Sequence, residues 1–396
     1  MLLARSDRLQ NIKPYAFAEI NKKVAALKKA AQKGTAKSPI DFGVGDPTEP
    51  TPDFVIQNLQ KFGEKHARTG YPFYTGNQNF REAAVEYMKR RFQVELDPET
   101  EICSSIGSKE SVFNFPLAFL NPGDIVICPS PGYPPYKTGT ILAGGEPYFV
   151  PLLAHNKFLI NYESIPEEIC QKAKIIWINY PNSPTGAIAE RTYYQALIAW
   201  AKKHDIIIAA DEGCYIDIYF EKKPISILEV AREGIVAFYS LSKRNNMTGY
   251  RVGFMCGDAR IISIYKNLKT HIDSGTPSIM QEAGILALKD DDHVESMRKM
   301  YFKKRNILTK ALRNMRLDVA EPDATFYIWQ KVPSGMSDVE FAEKLLDPNI
   351  AIVVTPGSLI SDECTGGVNP GNGYVRFALM PTMEEIEEAT ERLKVL

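Results

Sequence analysis

Hydrophobic and polar positions follow two different rhythms along this chain. Near the N-terminus Ala18, Ile20, Val24 and Leu27 recur among lysines, one face of an amphipathic helix, and the pattern stops at Gly34. Phe80, Ala83, Ala84, Tyr87 and Phe92 repeat that spacing and predict a helix over 79–92, with Lys89, Arg90 and Arg91 where cations suit its C-terminal end. Between residues 102 and 256 the rhythm changes to short apolar runs at 124–128, 175–178, 206–210, 236–239 and 252–255, separated by helical stretches. Such runs are what strands covered on both faces look like, so they predict a mostly parallel sheet sandwiched by helices. Past residue 261 long helical patterns dominate, then shorter strands at 324–330, 350–354 and 374–378. A last helix opens with the capping pair Thr382 and Glu385. The expected fold class is α/β: a large domain around that sheet over 46–285, an N-terminal arm over 1–45, and a smaller α+β domain over 286–396 to which the arm contributes.

The composition narrows the function classes. With 24% charged residues and 44% hydrophobic ones, the chain is that of a folded globular protein of 396 residues. Lys plus Arg number 47 against 48 Asp plus Glu, a net charge of −1, which offers no general attraction to nucleic acid or an anionic membrane. No apolar run approaches the roughly 18 residues that a membrane helix needs. The first residues lack the charged start and apolar stretch of a secretory signal. Six cysteines lie scattered without CxxC spacing, so no disulfide framework is expected and a cytoplasmic location is.

Candidate chemistry lies where the apolar runs end. In an open α/β sheet, ligands bind outside the carboxyl ends of the strands. There the chain places Pro131-Gly132-Tyr133, Asn182-Ser183-Pro184-Thr185-Gly186, Asp211-Glu212 and Ser240-Leu241-Ser242-Lys243. A ring, an amide, a carboxylate and an amine thus converge on one crevice. Commoner nucleotide motifs fail: Gly43-Val44-Gly45 lacks the third glycine of GxGxxG, and Gly107-Ser108-Lys109 lacks the Walker order. The five histidines stand isolated with no metal-ligand spacing, so no metal is expected.

Ser240-Leu241-Ser242-Lys243 followed by Gly249-Tyr250-Arg251 resembles the lysine signature of class I/II, fold-type I pyridoxal-phosphate aminotransferases. The family's other markers follow in order over almost the whole chain: Gly43-x-Gly45-Asp46-Pro47, Tyr71 with Gly76, Gly107-Ser108-Lys109, Asn182-x-Pro184-Thr185-Gly186, Asp211-Glu212 and Arg376. The resemblance implies that Lys243 carries pyridoxal 5'-phosphate through its amine and later moves a proton at the substrate α-carbon. Asp211 would hold the ring nitrogen protonated, so that the ring withdraws electrons. Gly107, Ser108 and Lys109 at a helix start, with Ser240, Ser242 and Arg251, would hold the phosphate. Tyr133 would stack on the ring. Arg376 would clamp the substrate carboxylate through two parallel hydrogen bonds, and Gly45 would allow close approach of the substrate. Tyr71 would reach the phosphate of a neighbouring subunit, which implies a homodimer with composite sites.

Two places depart from the family pattern. The family's asparagine stands immediately before the proline and binds the ring hydroxyl, whereas here Ser183 stands there; either Asn182 reaches in from one position earlier or Ser183 substitutes. The family's Asp-x-x-Tyr is lengthened by Gly213, so that its tyrosine is Tyr215. Within the family, Lys13-Pro14-Tyr15-Ala16-Phe17-Ala18-Glu19, Arg90-Arg91-Phe92, Asp273-Ser274-Gly275-Thr276-Pro277 and Val354-Thr355-Pro356-Gly357-Ser358 resemble the branch acting on LL-diaminopimelate or its N-succinyl form. The implied reaction exchanges an amine between an L-amino acid and a 2-oxo acid. The rivals are aspartate or other amino-acid aminotransferases, a lyase using the same cofactor, and a cofactor-sensing transcription regulator. The last lacks room for a DNA-binding domain in its first 38 residues.

Overall fold

The computed structural model describes residues 5–10, 12 and 18–395, with side chains from residue 21 onward after the N-terminal segment. The expected first helix is α1, Ala18–Gln32, and the second is α2, Gln78–Phe92, whose Phe80, Ala83, Ala84, Tyr87 and Phe92 are buried as their spacing requires. Seven strands form the large sheet: β1 Ile102–Ser105, β2 Ile125–Ser130, β3 Glu146–Pro151, β4 Ala173–Ile178, β5 Ile207–Gly213, β6 Ile235–Ser240 and β7 Gly253–Gly257. Their order across the sheet is β1-β7-β6-β5-β4-β2-β3. The five strands from β6 to β3 are parallel, while β7 runs antiparallel to both β6 and β1.

Side chains alternate between the two faces of this sheet, so each face carries its own core. Ile127, Ile176, Ile208 and Ala237 belong to one, with α2 packed over it. Val126, Trp177, Ala209 and Phe238 belong to the other. A third core is separate in composition. It joins Ile40, Phe42, Ile218 and Phe220 to residues after 290, including Leu308, Phe326, Ile328, Phe377 and Leu393. That core is framed by the long helix α3, Asp292–Asn314, by the antiparallel strands β8 Tyr327–Lys331, β9 Thr355–Pro356 and β10 Tyr374–Ala378, and by α4, Met383–Leu393, with Thr382 and Glu385 forming the expected capping box. Ile40–Asp41 pairs in parallel with Ile352–Val353, which ties the residues before the large sheet to this last part of the chain.

Candidate active site

The carboxyl ends of β6, β5, β4 and β2 lie side by side, and the site grows from them. At the end of β6 the Ser240 hydroxyl accepts from the Ser242 N–H at 3.2 Å and so caps the short helix Leu241–Arg244. That turn places Lys243 just past the end of β6. Its Nζ donates to the Gly45 carbonyl at 2.8 Å and lies 3.7 Å from Asp46 Oδ1.

Asp211 stands near the end of β5, buried. Its Oδ2 accepts from the Tyr136 hydroxyl at 2.7 Å, while Oδ1 has no hydrogen-bond partner. Burial without a cation pushes the carboxyl up to about 6, against the lowering effect of Tyr136 and of the nearby Cys214 thiol. Asn179, immediately past β4, donates to the Asp211 carbonyl and accepts from Ser183 N–H at 2.8 Å. Glu212 points to the opposite side, where Tyr239 and Ser226 hold it, and is structural.

A second cluster surrounds the start of the helix Ser108–Asn114. Gly107 has φ +68°, and a Cβ there would lie 2.3 Å from Arg251 Nη2, so the guanidinium fills the space that a side chain would take. Arg251 is anchored by Thr248 O at 2.7 Å. The hydroxyls of Ser104 and Ser105 are buried and unpartnered, and Ser108 Oγ lies 3.4 Å from Cys214 Sγ. Lys109, second residue of that helix, has an exposed side chain.

The third cluster belongs to the smaller core. On β10, Arg376 Nη2 donates to the Gly43 carbonyl at 2.7 Å and to Thr355 Oγ1 at 3.4 Å, while its buried Nε has no partner. Its guanidinium lies 4.7 Å from the centroid of the Tyr327 ring. Tyr215 Oη is 3.4 Å from Tyr327 Oη, so the extra Gly213 leaves Tyr215 facing this group. The insertion is absorbed as a bulge: Ala210 pairs with Ala237, but Gly213 pairs with Tyr239, three residues against two.

The remaining expected residues have other contacts as well. Asn182 Oδ1 accepts from Thr185 N–H at 3.2 Å and Thr185 Oγ1 at 2.7 Å, so Asn182 builds the turn, and Asn179 is the amide at the strand end. Gly45 is required first by Tyr327, whose hydroxyl would lie 1.9 Å from a Cβ there, before any approach of a substrate. Tyr133 is 38% exposed and Tyr71 87%. Tyr15 lies outside the described residues. The sequence reading missed Tyr136, Asn179 and Tyr327. Asn179 follows an apolar run as directly as Asp211 does and was findable on that ground; the other two read as ordinary core aromatics.

These residues fit pyridoxal phosphate. The orphaned Asp211 Oδ1 calls for a buried cationic donor such as a protonated ring nitrogen. Arg251, packed against the open helix start at Gly107 beside Ser108, suits a group with several anionic oxygens. Among the described residues no cluster of His, Cys, Asp or Glu could hold a metal, and no helix is long and apolar enough to cross a membrane.

The family model for aminotransferase class I and II matches residues 37–393. The chain belongs to that family. Its members are pyridoxal-phosphate-dependent enzymes that act on amino and 2-oxo acids. The chain is 44% identical to the LL-diaminopimelate aminotransferase of Aquifex aeolicus, over 99% of this chain and 98% of that one. It is 43% identical to the enzyme of the same name from Maridesulfovibrio salexigens, over 99% and 98%. Among solved structures, a single mutant of Thermus thermophilus aspartate aminotransferase superposes with a TM-score of 0.89 at 27% identity, covering all of both chains. The aminotransferase thus has the α/β architecture expected from its apolar runs and the fold type I that the resemblance implied.

Proposed function

We propose that this aminotransferase acts on LL-diaminopimelate, with 2-oxoglutarate and glutamate as the other pair, in lysine biosynthesis in the cytoplasm. The observation that carries the reaction is the buried, cation-less Asp211 carboxylate beside an amine-bearing strand end. Pyridoxal phosphate, when bound, supplies an aldehyde that takes up the amine and a ring that withdraws electrons from the substrate α-carbon. Lys243 would hold it covalently through its amine and would move a proton at the substrate α-carbon. Asp211 keeps the ring nitrogen protonated, with Tyr136 fixing the carboxylate. Tyr133 covers the ring; Ser108, Ser240, Ser242, Arg251 and the N–H groups of Gly107–Lys109 hold the phosphate. Tyr215 and Ser183 face the ring oxygen, and Arg376 clamps the α-carboxylate. The same reading divides the chain into an arm, a cofactor-binding unit and a small domain at 45/46 and 285/286.

The substrate rests on the names of the relatives and on a missing charge. An aspartate-type site needs a cation for the distal carboxylate, and the segment 270–281 holds no arginine. Diaminopimelate ends in a second zwitterion, which mixed donors and acceptors recognise better than one strong charge. Asn77, Asn79 and Ser274 are such groups, and all three are at least partly exposed. Ser274 adjoins Gly275, which packs against the backbone of Phe73 and Tyr74. We propose that this face lines the partner's site in a homodimer, with Tyr71 reaching across.

The test is a comparison of kcat/KM on purified enzyme. LL-diaminopimelate should exceed both its N-succinyl form and aspartate. Aspartate ahead by tenfold or more, about 1.4 kcal/mol in transition-state binding, would overturn the substrate and leave a general aminotransferase.

A further inference from the structure

Tyr327 touches three of the groups on which the proposed reaction depends. Its ring lies under the Arg376 guanidinium at 4.7 Å, its hydroxyl is 3.4 Å from that of Tyr215, and it fills the space beside Gly45. Gly45 in turn accepts from Lys243 at 2.8 Å. Tyr327 is 4% exposed and sits on β8, an edge strand of the small antiparallel sheet, paired with the central strand β10 that carries Arg376.

The guanidinium of Arg376 has few other restraints. One nitrogen is bonded to the Gly43 carbonyl and weakly to Thr355, and Nε is bonded to nothing. Two contacts at one nitrogen leave the plane free to turn about that point. A carboxylate needs that plane held, because two parallel hydrogen bonds form only when it is coplanar with the guanidinium. An aromatic face against the cation fixes the plane and adds attraction.

We infer that Tyr327 is a positioning residue for substrate carboxylates: a platform that holds Arg376 flat, keyed in place by the glycine at position 45. The inference rests on the reading of Arg376 as the carboxylate clamp.

The experiment measures the dissociation constant of a non-reacting monocarboxylate, 4-methylpentanoate, on the cofactor-loaded enzyme by calorimetry. Tyr327→Phe keeps the platform and should bind within twofold of wild type. Tyr327→Leu removes it and should bind about tenfold more weakly, the range of a desolvated cation–aromatic contact. In an Arg376→Lys background the same Leu change should cost less than twofold, which a general packing defect would not reproduce. Leu binding as tightly as wild type, or Phe losing as much as Leu, overturns the inference, as does an equal loss in the Lys background. Wild type whose affinity is unchanged by Arg376→Lys would instead contradict the clamp itself. Cofactor absorbance and thermal melting verify that each variant is folded and loaded.

Discussion

Asp211 shows how a site residue is costly to its own fold. Its carboxyl is held up to about 6 by burial, above its ordinary value of 3.8. A raised folded value means that the native state keeps a proton which the unfolded chain loses, so stability falls as pH rises from about 4 to 6. Without cofactor, Asp211→Asn should therefore be more stable than wild type at pH 8 by about 2–3 kcal/mol and indistinguishable from it at pH 4. Denaturant unfolding of the two apo proteins at both pH values reads this directly. With cofactor the same change should remove most turnover, because the ring nitrogen loses its carboxylate. Lys243 and Asp211 were legible in the sequence since each breaks an apolar run at a strand end. Tyr136 and Tyr327 were not: an aromatic in an apolar stretch does not reveal where its hydroxyl or its face will point.

At the scale of elements, the apolar runs gave the five central strands to within three residues, the largest miss at the bulged end of β5. Ile102–Ser105 is short and half serine, and Glu146–Pro151 is a partly exposed edge strand with two prolines, so neither produced a run. The antiparallel direction of β7 was also unreadable, because a strand covered on both faces looks alike in either direction. The bulge in β5 is different: the inserted Gly213 was visible in the sequence, and its consequence needed the partner strand. A Cβ at Gly213 would lie 2.4 Å from Tyr239 Cα, backbone that cannot yield. Gly213→Ala should destabilise the protein by about 1–3 kcal/mol. Gly63→Ala, in the helix Asp53–Lys65 with nothing within 4 Å of its Cβ, should stabilise it by up to about 1 kcal/mol. Melting curves of the pair test whether crowding, rather than glycine content, sets the outcome. Equal shifts would contradict it.

For the whole molecule, Tyr71 and Phe73, at 87% and 71%, are the most exposed aromatics among the described residues. They lie on one loop braced by Gly275, which fits the proposed exchange of Tyr71 between two copies. Inactive Tyr71→Ala and Lys243→Ala proteins, mixed and allowed to exchange, should regain roughly a quarter of wild-type activity, since half the dimers are mixed and each has one intact site. No recovery in mixtures shown to exchange subunits would place Tyr71 outside the partner's site. The central claim is that strand ends from one sheet assemble a single cofactor site anchored at Lys243. Borohydride reduction of the cofactor-loaded enzyme, followed by peptide mapping, tests it most directly. The cofactor tag should fall on Lys243 alone, with none in Lys243→Ala; a tag on any other lysine in the wild-type enzyme would contradict this anchoring.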